Sequence, residues 1–154
     1  MTRSRFALPA VAGLMLALVG PGALAASPKH GATYTGKNHG GFEYPIRFTV
    51  SKTGKHVAKI KYAVFVQCIS PPTGIPFQTA RNIPIHKGTF TLRVKEDQRA
   101  KHGTTGSLTT VALIGHFHAH GKASGSISEH DTFEQGRGVK PIRCQGSTTW
   151  AAKT

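Results

Sequence analysis

Acidic side chains are scarce in this chain. Six Asp and Glu stand against 20 Lys and Arg, a formal charge of +14 with the nine histidines neutral. Few carboxylates are therefore on hand for acid–base catalysis, and the field around the protein attracts polyanions such as nucleic acid, acidic polysaccharide, teichoic acid or anionic lipid headgroups. Helical periodicity is also missing. With 18 Gly and 9 Pro punctuating the chain, no long stretch repeats its apolar residues every three to four positions. Internal repeats, low-complexity tracts and β-α-β alternation are absent as well. So are the nucleophile elbow G-x-S-x-G, the zinc motif H-E-x-x-H and a phosphate-binding loop, which removes the commonest sequence grounds for an enzyme.

Cysteine is down to two, Cys68 and Cys144. Two isolated cysteines lack the paired spacing of a structural zinc site, so a single disulfide is the expected use, provided the compartment is oxidising. The start of the chain points to such a compartment. Arg3 and Arg5 precede an apolar run from Phe6 to Val19, Gly20-Pro21-Gly22 breaks that run, and Ala23-Leu24-Ala25 has the small-x-small form of a cleavage site. A run of about 14 residues is short of the ~20 that a spanning helix needs. The sequence therefore predicts a signal peptide over residues 1–25, export to the cell envelope or beyond, no transmembrane segment after cleavage, and one domain over residues 26–154.

Within that domain the pattern is of short alternating strands. Ile46, Phe48 and Val50 alternate with Arg47 and Thr49. Ile60, Tyr62, Val64, Val66 and Cys68 share one face, while Phe90, Leu92 and Val94 alternate with Thr91 and Arg93. Turn residues separate these runs at Ser51-Lys52-Thr53-Gly54 and Lys87-Gly88. Pro84 demotes residues 77–85 to an edge or irregular strand. Residues 129–140 read as a polar loop, and a closing strand is expected around Thr148 to Ala151 with Trp150 in the core. Seven to nine such strands predict an all-β, single-domain antiparallel β-sandwich or barrel with one disulfide.

The sharpest local signal is Thr109 to Ser128, where Val111, Leu113, Phe117 and Ala119 occupy one face and His116, His118 and His120 the other. Histidines two apart on a strand stand about 7 Å from each other. With His130, and with Glu129 and Asp131 beside it, they are candidate ligands for Zn or Cu, or the centre of a metal-dependent hydrolase. The competing reading is that they simply solvate an exposed face. Glu129, His130, Asp131 and Glu134 also offer paired carboxylates or a His–Asp dyad, in what reads as a solvated loop.

The order ATYTG, VQCIS, PIHKGTFTL, ALIGHFHAHGKASGSIS and IRCQGSTTWAA resembles a family of small secreted bacterial β-sandwich proteins. Their pattern is a Y-x-G opening, a central Cys, I-x-x-G-x-F, G-x-F…A-x-G and a terminal C-x-G…W-x-A. That family is largely of unknown function. The resemblance implies the fold and the disulfide, and supplies no catalytic residue.

The reading favoured by charge is a non-enzymatic binding module that attaches to an anionic polymer or cell-envelope glycan. Lys59, Lys61, Arg93 and Lys95, on or beside strands, are the expected cations. The aromatics left outside the core (Phe42, Tyr44, Phe65, Phe77 and Phe133) are scattered rather than laid along one basic strand. Attraction at the level of the polymer is therefore expected over sequence-specific reading of nucleic acid.

Overall fold

A computed structural model describes residues 26–39, 43–69, 77–98 and 105–154. The expected signal peptide and the proline-rich loop at Pro71, Pro72, Gly74 and Pro76 lie outside the described residues. The described chain forms nine strands: β1 (Thr33–His39), β2 (Pro45–Val50), β3 (His56–Ala63), β4 (Gln67–Cys68), β5 (Phe77–His86), β6 (Thr89–Asp97), β7 (Gly106–His118), β8 (Lys122–Glu134) and β9 (Ile142–Lys153). Eight of them close an antiparallel barrel in the order β1-β2-β3-β5-β6-β7-β8-β9, with β9 returning to β1. The short β4 continues the edge of β9 beyond β1. Between sandwich and barrel, the chain takes the barrel.

Alternation explains most of the closure. Every strand carries an inward set, and the buried residues Tyr34, Ile46, Phe48, Val50, Ile60, Tyr62, Phe90, Leu113, Phe117, Ile127 and Trp150 meet in one core. Tyr34 stacks on Phe48 with centroids 4.8 Å apart, and Phe48 meets Trp150 edge-on at 5.8 Å. Phe90 and Phe117 complete the aromatic cluster. Gly115 and Gly125 face each other across β7 and β8. A Cβ at Gly115 would enter the Phe90 ring, and one at Gly125 would lie 2.7 Å from the Trp150 ring and collide with the Ile114 carbonyl. This glycine pair makes room for the two rings.

The two ends of the barrel differ. At one end the connections are short. Lys87 and Gly88 form a two-residue turn with φ of 48° and 70°, the left-handed pair that a tight hairpin requires. At the other end, here called the mouth, β1, β3, β6 and β8 end and β2, β5, β7 and β9 begin. Cys68 and Cys144 sit opposite one another where β4 pairs β9, near the mouth, and form the expected disulfide across 76 residues. On the chain-entropy view a closure of that length stabilises the fold by roughly 4–5 kcal/mol at most.

Several boundaries depart from the sequence reading. β8 runs through Glu134, so Glu129 and Asp131 belong to a strand rather than a loop. β9 begins at Ile142, well before Thr148. β7 ends at His118. His120 instead occupies the following turn with φ 61°, and Ala119 is exposed rather than on the core face. β5 pairs β3 along its length, but most of its other side is an edge, as expected. It is irregular at Asn82, where φ is 55°, and it meets β6 only through Ile85–Phe90 and His86–Thr89. The seam between β5 and β6 is thus narrow, and it parts toward the mouth.

Candidate functional site: a basic exterior around an acidic interior

Strand pairing fixes which exposed side chains are neighbours. In an antiparallel sheet, directly opposed residues point to the same side. Following the register outside the barrel, His118 faces Lys122, Lys122 faces Lys153, Lys153 faces Thr35, Thr35 faces Arg47, and Arg47 faces Lys61. All six are exposed. With adjacent strands about 4.8 Å apart, the arc from Lys122 on β8 to Lys61 on β3 covers roughly 19 Å. A second row runs through Thr33, Thr49, Lys59 and Arg81. The two rows together put Lys59, Lys61, Arg47 and Arg81 on three adjoining strands.

The other expected cations, Arg93 and Lys95, are exposed on β6 across the narrow seam from β5. Their β7 partners are the uncharged Ala112 and Thr110. The basic residues singled out in the sequence therefore fall into two groups. The Lys59–Lys61 group is joined by Arg47, Arg81, Lys122 and Lys153, which alternation alone could not rank because it says nothing of which strands are neighbours.

The four histidines are dispersed. His116 shares a hydrogen bond with the Thr89 hydroxyl at 3.1 Å, and His118 with the Ser124 hydroxyl at 2.7 Å. His120 is in the turn. His130 lies on β8 six residues beyond Ser124, the residue opposite His116, which is about 20 Å along the strand. It lines a groove with Gln67, Ile69 and Arg143. Among the described residues no three His, Cys, Asp or Glu side chains come together in a group that could hold a metal ion.

The interior is of opposite sign. Three of the six carboxylates take inward positions near the mouth: Glu96 on β6, and Glu129 and Asp131 on β8. Glu96 is exposed there, but Glu129 and Asp131 are only 1% and 5% exposed. Glu129 Oε2 and Asp131 Oδ1 are buried without a hydrogen-bond partner. Nearby polar groups are better provided for. The Tyr62 hydroxyl donates to Gln78 Oε1 at 2.8 Å, and the Gln78 amide supports the Glu129 carboxylate. The buried Asn38 donates to the Ala63 carbonyl and accepts from the Tyr44 N–H.

Burial first, and the neighbouring Asp131 second, push the Glu129 carboxyl up to about 7, against the opposing pull of the Gln78 hydrogen bond. Burial also raises the Tyr62 phenol, with Glu129 and then Glu96 adding to the effect. Leaving a buried acceptor unpaired is costly and calls for an explanation; among the described residues Trp150 Nε1, in the aromatic core, is likewise unpartnered.

The signal for this interior pair lay in the phase of β8. Ala123, Gly125 and Ile127 set an inward period of two, and Glu129, Asp131 and Phe133 continue it. Polarity concealed the continuation, because acidic residues beside a histidine resemble a solvated loop.

Comparison with protein families and with curated proteins finds no match to this chain. Among the described residues no helix is long and apolar enough to cross a membrane. The disulfide is consistent with an extracytoplasmic location.

Proposed function

We propose that this protein is a secreted binding module that attaches, without catalysis, to an anionic polymer or envelope glycan through the cationic rows on its barrel exterior. The observation that carries this reading is the register row Lys122–Lys153–Thr35–Arg47–Lys61, reinforced by Lys59 and Arg81. A solubilising surface needs charge but no alignment. Here cations recur on neighbouring strands at the inter-strand spacing, and Lys59 directly opposes Arg81 although like charges in that position destabilise a sheet. An extended polyanion running across the strands would place successive charges near successive cations. Arg93 and Lys95 extend the basic surface beyond the β5–β6 seam, and the exposed His118 stands at the end of the row.

The N-terminal leader pattern and the disulfide support export, and the resemblance to small secreted bacterial proteins agrees with it. Attachment of this kind weakens steeply with salt, because each contact releases bound counterions, and is indifferent to chelators at constant ionic strength. Titration of residues 26–154 with poly(glycerol phosphate) between 50 and 300 mM salt (roughly a twofold change in Debye length) tests it. Binding that ignores salt but fails with chelator would instead support a metal-dependent site.

A further inference from the structure

We propose that the mouth of the barrel binds a small organic cation of the ammonium or guanidinium class, held between the Glu129 and Asp131 carboxylates. Both side chains are more than nine-tenths buried, both point inward from β8, and each keeps one oxygen without a donor. An unpaired buried carboxylate oxygen calls for an N–H or O–H group, and two such oxygens beside each other favour a donor that is itself positive. Among the described residues no positive side chain on the inner wall supplies one. Among the described residues no Lys, Arg or His is buried, and the polar groups facing the pair are Tyr62 on β3, Gln78 on β5, Glu96 on β6 and Thr109 on β7. Cys144 and Gly146, opposite the pair on β9, add no charge. The charged groups among them are all acidic.

The barrel architecture agrees with a small ligand. An eight-stranded barrel has room inside for side chains or for one small molecule. Here the aromatic cluster fills the turn end, whereas toward the mouth Glu96, Thr109, Glu129 and Asp131 join the apolar inward positions. The β5–β6 seam parts at the same end, between Gln78 on one strand and Glu96 on the other. A cation entering there would pass Glu96 and finish between Glu129 and Asp131. The Tyr62–Gln78 hydrogen bond holds the wall of the site and presents the Gln78 amide to Glu129, which leaves the second Glu129 oxygen for the ligand. The strongly basic exterior disfavours adventitious cation binding elsewhere, which makes the interior the preferred place on this protein for a cation to settle.

The experiment is an NMR and calorimetric titration of residues 26–154 with agmatine, which carries both cationic groups, at pH 8 and constant ionic strength. Uncharged n-butylurea serves as the control. The expected result is saturable one-to-one binding of agmatine, none of n-butylurea, and a loss of about tenfold or more in Glu129→Gln and in Asp131→Asn, the usual effect of deleting one charge-assisted contact. Binding should weaken as the pH drops below the point near 7 where Glu129 takes up a proton. Should either variant fail to fold, the side-chain carboxyl carbons of Glu129 and Asp131 in the unmodified protein decide: they shift on saturation if the proposal holds. Tetralysine in a parallel titration tells a free amine from a basic side chain presented by another protein; binding of either supports the site. No saturable binding of either probe, unchanged affinity in both folded variants, or carboxyl signals that do not move would overturn the proposal.

Discussion

Lys59 on β3 and Arg81 on β5 lie directly opposite each other on the outside of the barrel, two like charges on paired strands. Cross-strand repulsion of this kind costs a few tenths of a kcal/mol up to about 1 kcal/mol, and salt screens it. Arg81→Thr should therefore raise the urea midpoint slightly at low ionic strength, with the gain fading by 0.5 M salt (a Debye length of roughly 4 Å), and should also weaken polyanion binding. A variant that is less stable and binds equally well would mean that Arg81 serves the fold.

Glu129 links stability to pH. Its carboxyl titrates near 7 in the folded barrel and near the ordinary carboxylate value when unfolded, so between those values the folded state holds the extra proton. This group's contribution is fully present at pH 4 and is lost as the pH rises through about 7. The difference amounts to at most about 3 kcal/mol. Denaturant titrations of the wild type and Glu129→Gln from pH 4 to pH 8 (roughly spanning the two titration points) should show the variant gaining on the wild type as the pH rises. Parallel curves would remove Glu129 from the pH response.

Packing of the turn end rests on the glycine pair. Gly125→Ala places a methyl against the Trp150 ring and the Ile114 carbonyl, a site with no slack. Overpacking of this kind costs typically 1–3 kcal/mol. The expected outcome is a lower melting temperature together with a shift in Trp150 emission, since this is the chain's single tryptophan. An unchanged melting temperature would show that the β7–β8 backbone yields readily there.

Local alternation made the core legible before the fold was known. Phe48, Phe90 and Phe117 were placed inward by their neighbours, Trp150 by its size, and Cys68 and Cys144 were joined by their number and compartment. Barrel closure was not legible, because it depends on pairing between β1 and β9, which lie at opposite ends of the sequence. The cationic row was hidden for the same reason. Lys122 and Lys153 become neighbours of Arg47 and Lys61 only through the register of five strands. The histidine run misled for a different reason: alternation was extended one step too far, past His118 into a turn with left-handed backbone at His120. In the sequence Glu129 and Asp131 read as a carboxylate pair in a solvated loop. Composition tells against burying acids, and only the continued phase of β8 puts them inside.

The most direct test of the binding account compares two variants of equal net charge. In one, Arg47, Lys61, Lys122 and Lys153 are changed to Ser; in the other, Lys29, Lys52, Lys87 and Lys140, which are exposed and outside the strands of the row, are changed instead. Affinity for poly(glycerol phosphate) is measured for both across a range of salt. The account predicts that the row variant loses far more affinity, and that its slope of log affinity against log salt falls by about 3, on the scale of roughly 0.7–0.9 per lost contact known for nucleic acids. Equal losses from the two variants would show that net charge alone attracts the polymer, and would contradict a site built from the register of the strands.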